Sequence, residues 1–160
     1  MTYDFATNTY TMVHENVSSQ LDANGVIDPK RKLFFVVGEG VFHSYDIRAN
    51  GSYARTNLTS QVAGCSALIN AVVPGLAYDP VQDRIVGWAG GDTVYLFNPD
   101  TRTCTAVTFP GGPGAVNSLG TYGRWRYFPG LGVFALVNTS GENAYTLRLT
   151  PPPAPPSPNP

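Results

Sequence analysis

The sequence predicts an all-β chain built from repeated four-stranded antiparallel units, and three observations carry that prediction. Apolar and β-branched residues come in runs of about five, a strand length rather than a helix length. Glycine (17) and proline (14) cut those runs at short intervals, as tight turns between short strands require. The punctuation also recurs: GLAYDPVQDRIVGWAGGDTVYLFNPDTRTCTAV (75–107) has counterparts on both sides, at a spacing of roughly 50 residues.

The elements follow in order from the anchor Asp79-Pro80. Its counterparts are Asp28-Pro29 in NGVIDPKRKLFFVVGEG and Phe128-Pro129 in YGRWRYFPGLGVFALVNTS. Each anchor ends a first strand and leads without a gap into an apolar second strand: 33–37, 84–88 and 133–137. Small residues close each second strand, at 38–40, 90–92 and 139–141. Third strands follow as VFHSYD, TVYLFN and NAYTLRL. For the fourth strand, NPDTRTCTAV (98–107) aligns without a gap to DFATNTYTMV (4–13), and DIRANGSYART aligns with one extra residue. That alignment equates Tyr10, Tyr53 and Cys104.

The chain therefore opens on the last two strands of one unit (2–14), carries whole units at 24–58 and 75–109, and ends on three strands of another (122–149). Residues 150–160, TPPPAPPSPNP, read as a stiff polyproline-II linker or tail. Incomplete units at both ends point either to further blades on a longer chain or to a homo-oligomer, with residues 4–14 available as the missing fourth strand of the unit at 122–149 in cis or in trans.

These motifs resemble kelch repeats, specifically the galactose-oxidase central-domain type of β-propeller of secreted bacterial proteins. YDPVQDRIVGWAGGDTVYLFNPDTRT, IDPKRKLFFVVGEG and GRWRYFPGLGVFALVN carry the resemblance, which covers residues 2–149. It implies a partial propeller of about three blades, fewer than the usual 4–8, and an extracellular or cell-surface location. The kelch tryptophan of the fourth strand is replaced here by Tyr10, Tyr53 and Cys104. Galactose oxidase itself uses copper held by tyrosine and histidine. This chain has only His14 and His43, in different units and without metal-ligand spacing, so no metal and no cofactor is expected.

Bulk properties exclude several classes of function. Charged residues make up 13% of the chain and the net charge is −1, which is incompatible with a sequence-independent grip on nucleic acid. No apolar run has the roughly 20 residues of a membrane-spanning helix, and the start MTYDFATNTYTMV has no signal-peptide pattern. No nucleophile elbow, phosphate loop or carboxylate pair is present, so no catalytic residue is assigned. Asp28, Asp79 and the Gly pairs recur with the unit and are turn devices first.

A few residues stand outside the repeat. Arg124 and Arg126 occupy first-strand positions where the other units have Asn24 with Val26 and Gly75 with Ala77. They read either as recognition of an anionic or sugar group at the channel mouth, or as struts to backbone carbonyls and carboxylates. The long loops 59–74 and 109–121 are expected on one face with Glu39, Asp92 and Glu142, and with them Asn70, Asn117 and Trp88 as candidate ligand contacts. Cys65 and Cys104 form either a disulfide across one unit or two buried thiols. Sequons at Asn16, Asn50, Asn57 and Asn138 are candidate glycosylation sites. The reading these features favour is a non-catalytic binding or assembly module with a glycan or protein partner. The alternatives are a polysaccharide-acting enzyme with its site at the channel mouth, and a subunit that self-associates through open blade edges.

Overall fold

A computed structural model describes residues 2–12, 22–48 and 53–149. It begins with a hairpin, β1 (Thr2–Asp4) and β2 (Thr9–Thr11). The first blade is the sheet β3 (Asn24–Asp28), β4 (Leu33–Gly38), β5 (Val41–Asp46) and β6 (Arg55–Asn57), in chain order. A connection holding the short helix α1 (Ser66–Asn70) leads to the second blade: β7 (Gly75–Asp79), β8 (Arg84–Trp88), β9 (Thr93–Asn98) and β10 (Thr103–Thr108). A 3-10 turn (Tyr122–Arg124) introduces the third blade, β11 (Trp125–Phe128), β12 (Val133–Val137) and β13 (Ala144–Leu147). Every named pairing is antiparallel. Among the described residues the fold is thus all-β apart from two short helical turns, a partial propeller of blades whose innermost strands β3, β7 and β11 lie side by side.

The repeated punctuation has a repeated geometry. Asp28 Oδ1 accepts the amides of Lys30 and Arg31, and Asp79 Oδ1 accepts those of Val81 and Gln82. The left-handed residue of that first turn is Lys32, Asp83 or Gly132 in the three blades. The third-to-fourth turn recurs equally well. Thr7 pairs with Thr9 and Thr101 with Thr103 at 2.7 Å, and Asn8 and Arg102 share a left-handed φ. Tyr10 opposite Tyr3 matches Cys104 opposite Phe97. Tyr53 does not belong to that set. In the first blade Arg55 stands opposite Tyr45, the place Cys104 takes opposite Phe97, because the connection after β5 is three residues longer than that after β9, not one.

Two hydrophobic clusters join the blades. Between the first and second, Phe35 and Phe42 from one sheet meet Phe97 and Ile85 from the other, with ring centroids 4.7–5.9 Å apart among the three phenylalanines. Between the second and third, Val86, Trp88 and Val94 meet Trp125, Phe134 and Leu136. The second blade is therefore covered on both faces, which is why β8 reads as an unbroken apolar run rather than an alternating one.

The ends of the blades differ in chemistry. At the end carrying the first-to-second turns, Arg31 donates to Asp28, Asp83 and Asp100 at 2.5–2.8 Å, and Lys30 Nζ and Tyr78 OH also reach Asp83. This network locks the first blade to the second. At the opposite end lie the second-to-third turns and the long connections, tied by Gly40 N–H to Ile69 O, Gly91 N–H to Gly114 O and Phe109 N–H to Asp92 O.

Candidate functional site

The two blade junctions are capped by different connections. After β6, the chain contributes Leu58, Val62, Cys65, Leu68 and Ile69 to the first junction, all buried. Leu68 on α1 fits against Gly87, where a Cβ would stand 2.5 Å from its Cδ2. Cys65 is bonded to Cys104 on β10, with 5.4 Å between the Cα atoms. The neighbouring Gly64, at φ +89°, passes so close that an added Cβ would lie 2.2 Å from the Cys104 carbonyl oxygen. Helix, disulfide and glycine together seal that junction.

The connection after β10, residues 109–121, reads FPGGPGAVNSLGT and supplies only Phe109 and Val116 to the second junction, both half-buried. Beneath it remains a cleft of about 290 Å³. Trp88, Trp125 and Leu136 form its floor, and Phe109, Tyr145 and Leu147 its walls. Polar groups sit at the rim: Asp92 Oδ1 accepts the Gly112 amide at 2.9 Å, and Trp88 Nε1 donates to Gly91 O at 3.0 Å. An apolar floor with a few fixed polar groups at one edge is the make-up of a recognition pocket.

The singled-out residues separate. Trp88 is 2% exposed and contributes its buried ring to the cleft floor. Asn117 is spent on its own loop, its Oδ1 accepting the Leu119 amide and its N–H donating to Asn138 Oδ1. Asn70 is exposed at the end of α1, over the other junction. Arg124 does not stand on the first strand: β11 begins at Trp125, and Arg124 ends the 3-10 turn. Its guanidinium donates to the carbonyls of Gly120 and Thr121, where it caps the turn. Arg126 is on the strand and exposed. Its Nε donates to Gly123 O at 2.7 Å, and its side chain borders a trough of about 610 Å³ along the three inner strands. Among the described residues no three His, Cys, Asp or Glu side chains group as a metal site.

Asn138, expected from its sequon as a glycan acceptor, is 2% exposed. Its Nδ2, the atom a glycan needs, donates to Ala115 O at 2.9 Å, so in the fold the side chain is a strut under the 109–121 loop. Asn57 is exposed, with its Oδ1 accepting the Thr59 amide. Asn16, Asn50 and His14 lie outside the described residues. Buried His43 has its pKa lowered by desolvation and then by the charge of Arg55. Asp83 is held far below the usual carboxylate range, chiefly by the hydrogen bonds of Arg31 and then of Lys30, and Tyr78 is pushed up to about 12 by burial and by its bond to Asp83. Those shifts belong to the interblade network, not to the cleft.

Of the residues that line the cleft, sequence alone points to Trp88 and to the 109–121 loop that begins at Phe109, and not to Tyr145 or Leu147. The composition of the two connections carries the signal: 58–74 holds Leu58, Val62, Leu68, Ile69, Val72 and Val73, whereas 109–121 holds only Phe109, Val116 and Leu119 as large apolar residues. No helix among the described residues is long and apolar enough to cross a membrane. Comparison with family models, with curated proteins and with solved structures finds no match.

Proposed function

We propose that this chain is a non-catalytic binding module of an extracellular protein, built from kelch-like blades of the galactose-oxidase central-domain type. It takes a glycan or protein partner at the loop end of the second blade junction. The observation that carries the reading is the cleft itself: one junction is sealed by a helix and a disulfide, while the equivalent place in the next is roofed only by a Gly/Pro loop over aromatic side chains. Tyr145 and Phe109 present ring faces of the kind on which sugar rings and apolar side chains stack. The disulfide supports an oxidising compartment.

The test is chemical-shift mapping of the chain against a panel of neutral and acidic oligosaccharides and of extended peptides. Binding should move the Trp88 indole N–H and the Tyr145 and Phe109 ring signals, and Tyr145→Ala should abolish it. Ligands that move only other regions would sink the reading.

A second reading has its own observation. The outer edge of β13 carries no strand among the described residues, whereas β9 at the same place in the second blade carries β10. An open edge is a template for another chain, so self-association is the competing use. A strict monomer by light scattering at high concentration overturns it.

A further inference from the structure

At the end of the molecule that carries the first-to-second turns, apolar side chains stand exposed beside the charged network of Lys30, Arg31, Asp83 and Asp100. Leu131 is 66% exposed, Val81 63%, Ile27 53% and Phe128 47%. All four lie in or beside the turns that end β3, β7 and β11; Ile27 lines the trough along those strands, and Val81, Phe128 and Leu131 lie within two residues of its lining prolines Pro80 and Pro129 in sequence. Tyr78, Tyr127, Pro80, Pro129 and Arg126 are among the side chains that line the trough. Apolar surface of this kind around a concave groove marks a docking site. Rings and prolines in one lining, with hydrogen-bond donors among them, suit a polyproline-II segment, whose ridges of proline fit between flat side chains.

The chain carries such a segment and releases it at this end. β13 runs away from the loop end, and just past it Arg148 Nη1 lies 3.3 Å from where a Gly132 Cβ would stand, beside Leu131 in the turn after β11. Residues 150–160, TPPPAPPSPNP, follow directly. At about 3.1 Å per residue in polyproline II, six of them span roughly 19 Å, enough to cross inner strands set side by side. The segment has no charged side chain, which matches a groove whose exposed surface is mainly apolar.

We propose that the trough is the docking site for this chain's own proline-rich segment, which lies across β7 and β11 and shields Leu131 and Phe128. Arg126 donates from its free guanidinium nitrogens to carbonyls of the docked segment, which lack amide partners wherever proline recurs.

The experiment compares the full chain with a full-length variant in which Pro151, Pro152, Pro153, Pro155 and Pro156 are all changed to Ser. Heteronuclear spectra of the two should differ at Tyr127, Leu131 and the Arg126 Nε–H, with the loop end unchanged. The synthetic peptide TPPPAPPSPNP, added to the variant, should restore the wild-type positions. Adding Leu131→Ser to that variant, at a site exposed enough to leave the fold intact, should weaken the peptide about tenfold, equivalent to roughly 1.4 kcal/mol of lost contact. Spectra identical at the trough, or peptide-induced shifts confined to other regions, overturn the proposal. Differences that grow with protein concentration assign the segment to a second copy and overturn the intramolecular form.

Discussion

The two blade junctions are built on the same strand geometry and end as opposites. At the first, three phenylalanines, α1 and the Cys65–Cys104 bond leave a closed core. At the second, Trp125 stacks on Phe134 with ring centroids 5.2 Å apart and a plane angle of 15°, but the covering loop brings little that is apolar, and a cleft stays open. The difference lies in the connections. A repeat specifies how blades face one another; the segment that crosses from one blade to the next decides whether the junction is sealed or presents a pocket.

The comparison breaks most visibly at Phe97, which lies at the centre of the sealed junction and touches both Phe35 and Phe42. Phe97→Ala should cost about 4 kcal/mol, the expected loss for a large ring removed from a packed core, measured as a drop in the urea midpoint. A fully retained midpoint would mean that the junction is not the cooperative core.

Removal of the disulfide by Cys104→Ser should cost about 4 kcal/mol, given the sequence separation of 39. Hydrogen exchange should quicken first at Gly40, whose amide donates to the Ile69 carbonyl and ties α1 to the first blade, and at Ile69, whose amide donates to Cys65 O. Exchange that quickens equally at the second junction would show that the bond does not act locally.

Asp83→Asn should cost roughly 1–2 kcal/mol at neutral pH, since it takes a carboxylate from Arg31 and Lys30 in a partly buried network. Asp83 titrates lower in the fold than the 3.8 of its ordinary value. Its contribution is therefore complete above about pH 4 and is lost as the pH falls toward the folded value. The gap between wild type and variant should shrink in unfolding curves taken stepwise from pH 5 to pH 2, and a constant gap would count against the network.

His43 gives a smaller titration of the same direction on the first blade. Its pKa is lowered in the fold, so above 6.5 both states are neutral, and below 6.5 the unfolded chain takes the proton first and stability falls. His43→Gln should flatten that slope between pH 6.5 and 5. The smallest effect belongs to the open junction: Phe109→Ala removes a half-buried ring and should cost under about 1 kcal/mol, while it weakens any ligand held in the cleft. A loss as large as that of Phe97→Ala would erase the contrast between the junctions.

Much of the fold was legible because turns are local. Asp28 and Asp79 bind amides two and three residues ahead, and Thr101 with Thr103 repeats Thr7 with Thr9, so spacing along the chain is enough to find the strands. Where a connection changed length the alignment slipped: Tyr53 was equated with Cys104, although Arg55 holds that place. The site was legible in part. Trp88 and the 109–121 loop were identified, but Tyr145 and Leu147 are remote from both in sequence and meet them only because β13 packs back toward the second blade.

Alternation, turn chemistry and the period of the repeat, all carried by neighbouring residues, determined by themselves that this chain forms antiparallel blades and where each strand turns. The tertiary structure alone decided which connection seals its junction, that Arg124 serves backbone carbonyls while Arg126 faces the trough, and that Asn138 is buried. Those outcomes depend on the volume left between two sheets and on which carbonyls a long side chain can reach. Both are set by contacts between residues tens of positions apart, which no local pattern records.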